Sequence, residues 1–208
     1  MPFPPIELAD TDGLLALGGS CDPEMLLIAY RRGIFPWPLN ESTIAWFAPP
    51  VRGVIFLDSV KISKSLRKEL KLKRYSTAIN RDFGRVITSC ADLENRGDQN
   101  GTWIIPQIIS GYTQLHKLGY AHSFETYFDG RLVGGLYGVQ IGSYFSGESS
   151  FYRMPNASKV AMVTLLDYLQ SSGITWLDCQ TITPFSSSFG AVEVTRDDYM
   201  QLLARDIR

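Results

Sequence analysis

The hexapeptide Trp176-Leu177-Asp178-Cys179-Gln180-Thr181 sets chemically useful residues at a productive spacing. Alternate side chains of a strand share a face. Asp178 and Gln180 therefore point the same way as Trp176, while Leu177 and Cys179 point the other way. That face presents a carboxylate and an amide roughly 7 Å apart. Such a pair suits holding and orienting an amine. It is poorly suited to binding a phosphate or attacking a carbonyl. Upstream, Gly147-Glu148-Ser149 ends a strand beside the same sheet and brings a second carboxylate. Two carboxylates near one cleft repel, so one is expected to titrate high, and the sequence does not single it out. The only histidines, His116 and His122, show no spacing that suggests a relay with serine and aspartate.

The elements that must position these residues follow from the pattern around them. Residues 1–50 read as loop-rich and proline-punctuated, with one helix from Asp22-Pro23-Glu24 to about Arg32. Asp22 is its candidate N-cap, with proline at the first helical position, and Gly33 its stop. From Val51 the chain alternates in an α/β manner. Gly53–Leu57 reads as a strand, Ser63–Leu72 and Arg81–Ala91 as helices, Asn95–Gly101 as a polar loop and Pro106–Leu118 as a helix. Ala121–Phe128 and Arg131–Val139 alternate and meet at Asp129-Gly130, a strong hairpin signal. Tyr144–Ser149 follows as a strand, Ala157–Gln170 as a helix with Asn156 as candidate N-cap, and Ile174–Gln180 as a strand. This order predicts a mixed sheet flanked by helices.

The chain has 208 residues, 45% of them apolar and 20% charged, with a formal net charge of −1. That fits a globular protein with a substantial core. No stretch approaches the ~20 apolar residues that span a membrane, and the N-terminus lacks the pattern of a secretory signal. Cys21, Cys90 and Cys179 are odd in number and far apart, so neither a disulfide framework nor a zinc ribbon is expected. A cytoplasmic location is the expectation. Any nucleic-acid contact must come from a local basic patch rather than from overall charge.

The order of elements resembles the acetyltransferase-like (GNAT) fold, an α/β (α+β) architecture. Acyl-CoA versions of that fold carry a glycine-rich loop whose backbone N–H groups cradle a pyrophosphate. Here that segment reads Phe151-Tyr152-Arg153-Met154-Pro155-Asn156-Ala157, without a glycine pair and with a proline that has no N–H. A CoA-dependent N-acetyltransferase is therefore the weaker alternative; a non-catalytic tRNA-binding module is another.

A more specific resemblance runs from about Gly13 onward. Its landmarks are Gly13-Leu14-Leu15-Ala16-Leu17-Gly18-Gly19, Ala29-Tyr30-Arg31-Arg32-Gly33-Ile34-Phe35-Pro36-Trp37, Gly101-Thr102-Trp103-Ile104 and Ala121-His122-Ser123. They continue with Leu132-Val133-Gly134-Gly135-Leu136-Tyr137-Gly138, Gly147-Glu148-Ser149, Asn156-Ala157-Ser158-Lys159 and Asp178-Cys179-Gln180. Together they resemble the leucyl/phenylalanyl-tRNA–protein transferase family. The resemblance implies a small N-terminal domain, 1–50, and a GNAT-like catalytic domain, 51–208. It implies transfer of Leu or Phe, with Met a further option, from aminoacyl-tRNA to the α-amine of proteins beginning with Lys or Arg, which marks them for degradation by the Clp machinery. It implies no cofactor and no metal. A monomer without membrane attachment is expected.

The resemblance carries roles onto particular residues. The reaction is ester aminolysis, and the α-amine, with a reference pKa of about 7.7–8.0, must be held neutral and lose a proton as the bond forms. Asp178 and Gln180 match the family's amine-handling pair. An amide is a very poor base, so Gln180 is expected to orient the amine and Asp178 to stabilise its positive charge. The plainer alternative for Asp178 is a bond to a neighbouring loop. Glu148 is placed to hold either the aminoacyl amine or the incoming N-terminus. Leu136, Phe145, Leu165 and Leu169 match the acyl side-chain pocket. Some members carry Met at the first and Phe at the last two, so this pocket is expected to be slightly wider. Trp37 and Trp103, and less specifically Trp46, are candidates to stack on the terminal adenosine, worth ~1–3 kcal/mol per base. Tyr30 is expected to bond a ribose or ester oxygen. Lys61, Lys64, Lys68 and Lys71 recur at helical spacing and are read as a tRNA-backbone patch, salt-sensitive and blind to sequence. One departure stands out: Phe185 occupies the position where the family commonly has a histidine.

Overall fold

The computed structural model describes residues 3–92 and 103–207. The polar loop expected over 95–101 lies outside the described residues.

Two sheets organise the chain. The first is three-stranded, antiparallel and small: β1 (Leu14–Leu17), β2 (Phe35–Pro38) and β3 (Ile44–Phe47), in the order β1-β3-β2. Sequence pattern gave only loop and one helix here. Each strand is four residues long, too short for alternation to register, and two of the four β2 residues are prolines. β2 tolerates them because it is an edge strand, pairing with β3 alone. The helix α1 (Pro23–Arg31) starts as expected, with the Asp22 carboxylate accepting from the Met25 N–H at 2.9 Å. Gly33 follows it at φ +71°, where a Cβ would lie 2.8 Å from the Tyr199 ring. Only glycine allows this turn to press against the C-terminal helix.

The second sheet has seven strands in the order β10-β4-β9-β8-β7-β6-β5. They are β4 (Val51–Phe56), β5 (Ser76–Ile79), β6 (Ala121–Phe128), β7 (Arg131–Ile141), β8 (Tyr144–Tyr152), β9 (Trp176–Gln180) and β10 (Val192–Thr195). The β6–β7 turn takes Asp129 and Gly130 through φ +48° and +74°, as a two-residue hairpin requires. All pairings are antiparallel except one. β8 and β9 are parallel because α5 (Ala157–Ser171) crosses between them. They are in register at a single pair, Ser146 opposite Asp178. Beyond it, towards Glu148 and Gln180, the ladder does not continue.

Helices cover both faces. α3 (Phe83–Ala91), α4 (Pro106–Lys117) and α7 (Arg196–Asp206) pack on one side together with α1. α2 (Lys64–Leu72) and α5 pack on the other. A four-residue helix, α6 (Pro184–Ser187), precedes β10. The mixed sheet between helical layers is the acetyltransferase-like architecture expected. The short edge strands β5 and β10 carried no readable signal, and α7 was passed over although Thr195 caps it by accepting from the Asp198 N–H. β5 and β10 are four residues each, and α7 has a weak apolar stripe.

Candidate functional site

Asp178 is fully buried, and both of its oxygens are taken. Arg52 grips it with a fork, Nε to Oδ1 at 2.9 Å and Nη2 to Oδ2 at 2.8 Å. The hydroxyls of Tyr144 and Tyr199 donate to Oδ2 at 2.7 and 3.0 Å. The backbone N–H of Gln180 donates to Oδ1 at 2.8 Å. Burial would raise this carboxyl, but the Arg52 charge and these hydrogen bonds hold it below the ordinary carboxylate range. The expectation that Asp178 faces the incoming amine is corrected: its five donors come from the protein, and it is walled off behind the site.

Gln180, 8% exposed, and Glu148, half-buried, form the less enclosed part. Gln180 ends β9 at φ +61°, a left-handed conformation uncommon for a residue with a side chain. The Asp178 carboxylate, accepting from its N–H, supports that turn. The turn sends the carboxamide across to β8, where Nε2 donates to Glu148 Oε1 at 3.0 Å. Ser146, two residues before Glu148 on the same face, donates its hydroxyl to the same oxygen at 2.8 Å. The other oxygen, Oε2, accepts from Tyr112 of α4 at 3.3 Å. Glu148 is half-buried, between the two diverging strands. Burial pushes its carboxyl up to about 7, against hydrogen bonds from Ser146, Tyr30 and Gln180, and the Asp178 charge adds to the rise. Of the two carboxylates, Glu148 is the one that titrates high.

Tyr30 is fully buried and its hydroxyl is bonded to that of Tyr112. It backs Glu148 rather than reaching a substrate oxygen, which corrects its expected role. Trp37 and Trp103 come together from the N-terminal sheet and the start of α4. Their rings stack on each other at 5.4 Å and 18°. Trp37 remains 43% exposed, so the pair offers an outer ring face. Trp46 does not: it is buried, donates to the Gly18 carbonyl at 2.8 Å and meets Phe3 edge-on.

Leu136, Phe145, Leu165 and Leu169 gather in one buried apolar cluster between the sheet and α5. Phe145 and Glu148 leave β8 on opposite faces, so this cluster and the polar pair meet only where β8 and β9 part, at Gly147. A Cβ on Gly147 would find ordinary contacts, 3.6 Å to the Asp178 carbonyl oxygen and 3.7 Å to Leu177.

Lys64, Lys68 and Lys71 are exposed along α2, and none takes part in an ion pair among the described residues. Lys61 departs from the expected stripe. The helix begins after its N-cap Ser63, and Lys61 is held by a backbone bond to Phe189 at 2.9 Å. Phe185 packs its ring 5.5 Å from Phe189. His122 bonds Asn80 and stands outside the site. Among the described residues no group of three His, Cys, Asp or Glu could hold a metal ion.

Sequence reasoning passed over Arg52, Tyr112, Tyr144, Ser146 and Tyr199. Ser146 was legible as the residue two before Glu148 on one strand face. Arg52 left a fainter sign, a charge inside the apolar strand Val51–Phe56. The tyrosines gave none, because a buried tyrosine is ordinary core until its hydroxyl finds a partner.

Known proteins are similar in sequence to this chain. The family described as leucyl/phenylalanyl-tRNA protein transferase matches residues 54–204, and the N-terminal domain of the same family matches residues 19–50. The leucyl/phenylalanyl-tRNA–protein transferase of Syntrophobacter fumaroxidans is 47% identical over 205 residues, covering 99% of this chain and 87% of that protein. Its counterpart in Flavobacterium johnsoniae is 45% identical over 201 residues, 97% of this chain and 94% of that protein. In three dimensions the crystal structure of FemX superposes on 82% of this chain and 68% of its own, with a TM-score of 0.50 and 13% identity, a likeness of fold.

Proposed function

The chain belongs to the leucyl/phenylalanyl-tRNA–protein transferase family, and from that premise we propose that it moves Leu or Phe from aminoacyl-tRNA to the α-amine of proteins beginning with Lys or Arg. The observation that carries the reading is the pairing of Gln180 with Glu148 at the parting of β8 and β9. Gln180 spends its NH₂ group on Glu148 and Ser146. Its carbonyl oxygen is left to accept from an amine. Glu148, poised near neutrality, takes the proton that amine sheds as the new C–N bond forms, and gives it up towards the terminal ribose oxygen of the tRNA, which leaves as a hydroxyl when the ester C–O bond breaks; a pKa near the working pH is best for such work. The raised value is what separates Glu148 from an ordinary carboxylate, which would be too weak a base.

Around that pair, the outer face of the Trp37–Trp103 stack receives the terminal adenine, and the cluster of Leu136, Phe145, Leu165 and Leu169 receives the acyl side chain. Lys64, Lys68 and Lys71 meet the tRNA backbone. Residues 1–50 and 51–208 act as the two domains, each built around its own sheet. In the cell the new N-terminus marks its bearer for proteolysis, a cytoplasmic task. No helix among the described residues is long and apolar enough to cross a membrane.

The test is an assay with labelled Phe-tRNA and a peptide beginning with Arg, with and without acetyl-CoA. Transfer of Phe that ignores acetyl-CoA and falls sharply in Gln180→Ala is expected. Transfer of acetyl instead, or tRNA binding with no transfer, would overturn the reading.

A further inference from the structure

We propose that Arg52 is a positioning residue for the acceptor amine, acting through Asp178 to hold Gln180 in the turned conformation that brings its carboxamide to Glu148. The inference rests on the transferase reading for what the site handles, and on geometry alone for what Arg52 does. Asp178 Oδ1 is shared by two donors, the Arg52 Nε–H at 2.9 Å and the Gln180 N–H at 2.8 Å. A carboxylate that rotates or drifts therefore takes the Gln180 backbone with it. Gln180 sits at φ +61°, which few side-chain-bearing residues adopt, and the bond from its N–H to Asp178 Oδ1 supports it there. A flattened Gln180 would turn its amide away from Glu148.

Arg52 is itself gripped from three directions. Its guanidinium carbon lies 4.6 Å from the ring centroid of Phe35, in the N-terminal sheet, and 4.6 Å from that of Tyr199, in α7. Nη1 donates to the Gly33 carbonyl at 3.2 Å. The planar fork is thus fixed in orientation before it meets Asp178. A lysine can supply the charge but not two parallel N–H bonds. The site's geometry depends in this way on the N-terminal sheet, through Phe35, and on the C-terminal helix, through Tyr199.

The test compares Arg52→Lys, Arg52→Ala and Tyr199→Phe in transfer of Phe from Phe-tRNA to an Arg-initiated peptide. Arg52→Lys is expected to lose about 100-fold in kcat/KM for the peptide, the scale of a misplaced reactant, with the KM for Phe-tRNA within about twofold of the unaltered enzyme. Millimolar guanidinium, and not ammonium, is expected to restore about tenfold to Arg52→Ala, since it refills the fork. Tyr199→Phe keeps the ring over Arg52 and loses one hydroxyl on Asp178; a loss of about fivefold in the peptide parameter is expected. A crystal structure of Arg52→Lys is expected to show Gln180 out of the left-handed region. A rise in the KM for Phe-tRNA as large as the loss in the peptide parameter, or full activity in Arg52→Lys with Gln180 unmoved, would overturn the proposal. Should the unaltered protein transfer nothing while Gln180 still moves in Arg52→Lys, the transferase reading falls and the positioning role stands.

Discussion

On the α4 side of the large sheet, β8 and β9 offer Ser146, Glu148, Asp178 and Gln180 to Arg52 and a set of tyrosines. On the α5 side the same two strands offer Phe145 and Leu177 to Leu165 and Leu169. The first face is joined by directional bonds with fixed partners, including a fork, three phenol contacts and a backbone N–H. The second is joined by contact area, with no polar atom to satisfy. Directional networks fail when one member is removed, because a buried group is left unpaired. Apolar packing loses stability in proportion to the volume removed. The difference teaches where this molecule keeps its geometry and where it keeps its room to vary. Under the proposed function, a pocket for either of two acyl side chains belongs on the tolerant face, and an amine that must be aimed belongs on the exacting one.

Breaking the polar face at its centre should have the largest effect. Asp178→Ala leaves Arg52 buried without a counter-charge and should lower stability by about 3–5 kcal/mol, with transfer lost; denaturant unfolding and the transfer assay together check it. Next comes Glu148→Gln, expected to cost at least about 100-fold in transfer while stability stays near that of the parent. In the parent, only ionised Glu148 accepts a proton, so transfer should climb as pH rises through about 7. The glutamine variant should lose that limb and retain only the limb of the acceptor amine. A pH–rate profile with the limb intact in the variant would assign the base elsewhere.

The apolar face sharpens the contrast. Leu165→Ala should destabilise by about 2–3 kcal/mol and leave the limb at about 7 in place, shifting the ratio of Phe to Leu transferred rather than abolishing it. A change in the pH limb would show that the two faces are not separate. The smallest effect concerns the surface beyond both: neutralising Lys64 and Lys68 together should raise the KM for tRNA a few-fold and flatten its dependence on salt by roughly two counterions, leaving kcat nearly unchanged. A fall in kcat would remove these lysines from the backbone patch.

The polar face was half legible in the sequence. Asp178, Gln180 and Glu148 could be placed side by side because strand alternation is local. What Asp178 does could not be read, since its partner Arg52 is 126 residues away and Tyr199 lies 21 residues away on the other side, on a separate helix. The left-handed turn at Gln180 was equally hidden, because glutamine advertises no such preference. The apolar face was legible in membership: Leu165 and Leu169 sit one helical turn apart and share a cluster with Leu136 and Phe145. Its position on the far side of the sheet from Glu148 was not, since that depends on how β7, β8 and β9 order themselves. The long hairpin at Asp129-Gly130 was read correctly because turn chemistry there is dictated by two adjacent residues, while the four-residue strands of the N-terminal sheet exist only by pairing with one another.

Tyr199 closes the box around the Arg52 guanidinium from a helix more than a hundred residues further along the chain. A chain cut ahead of α7 would keep Gln180 and Glu148 and lose part of the wall behind them, and is expected to lose transfer. Chains ending just before and just after α7, compared for transfer, check it.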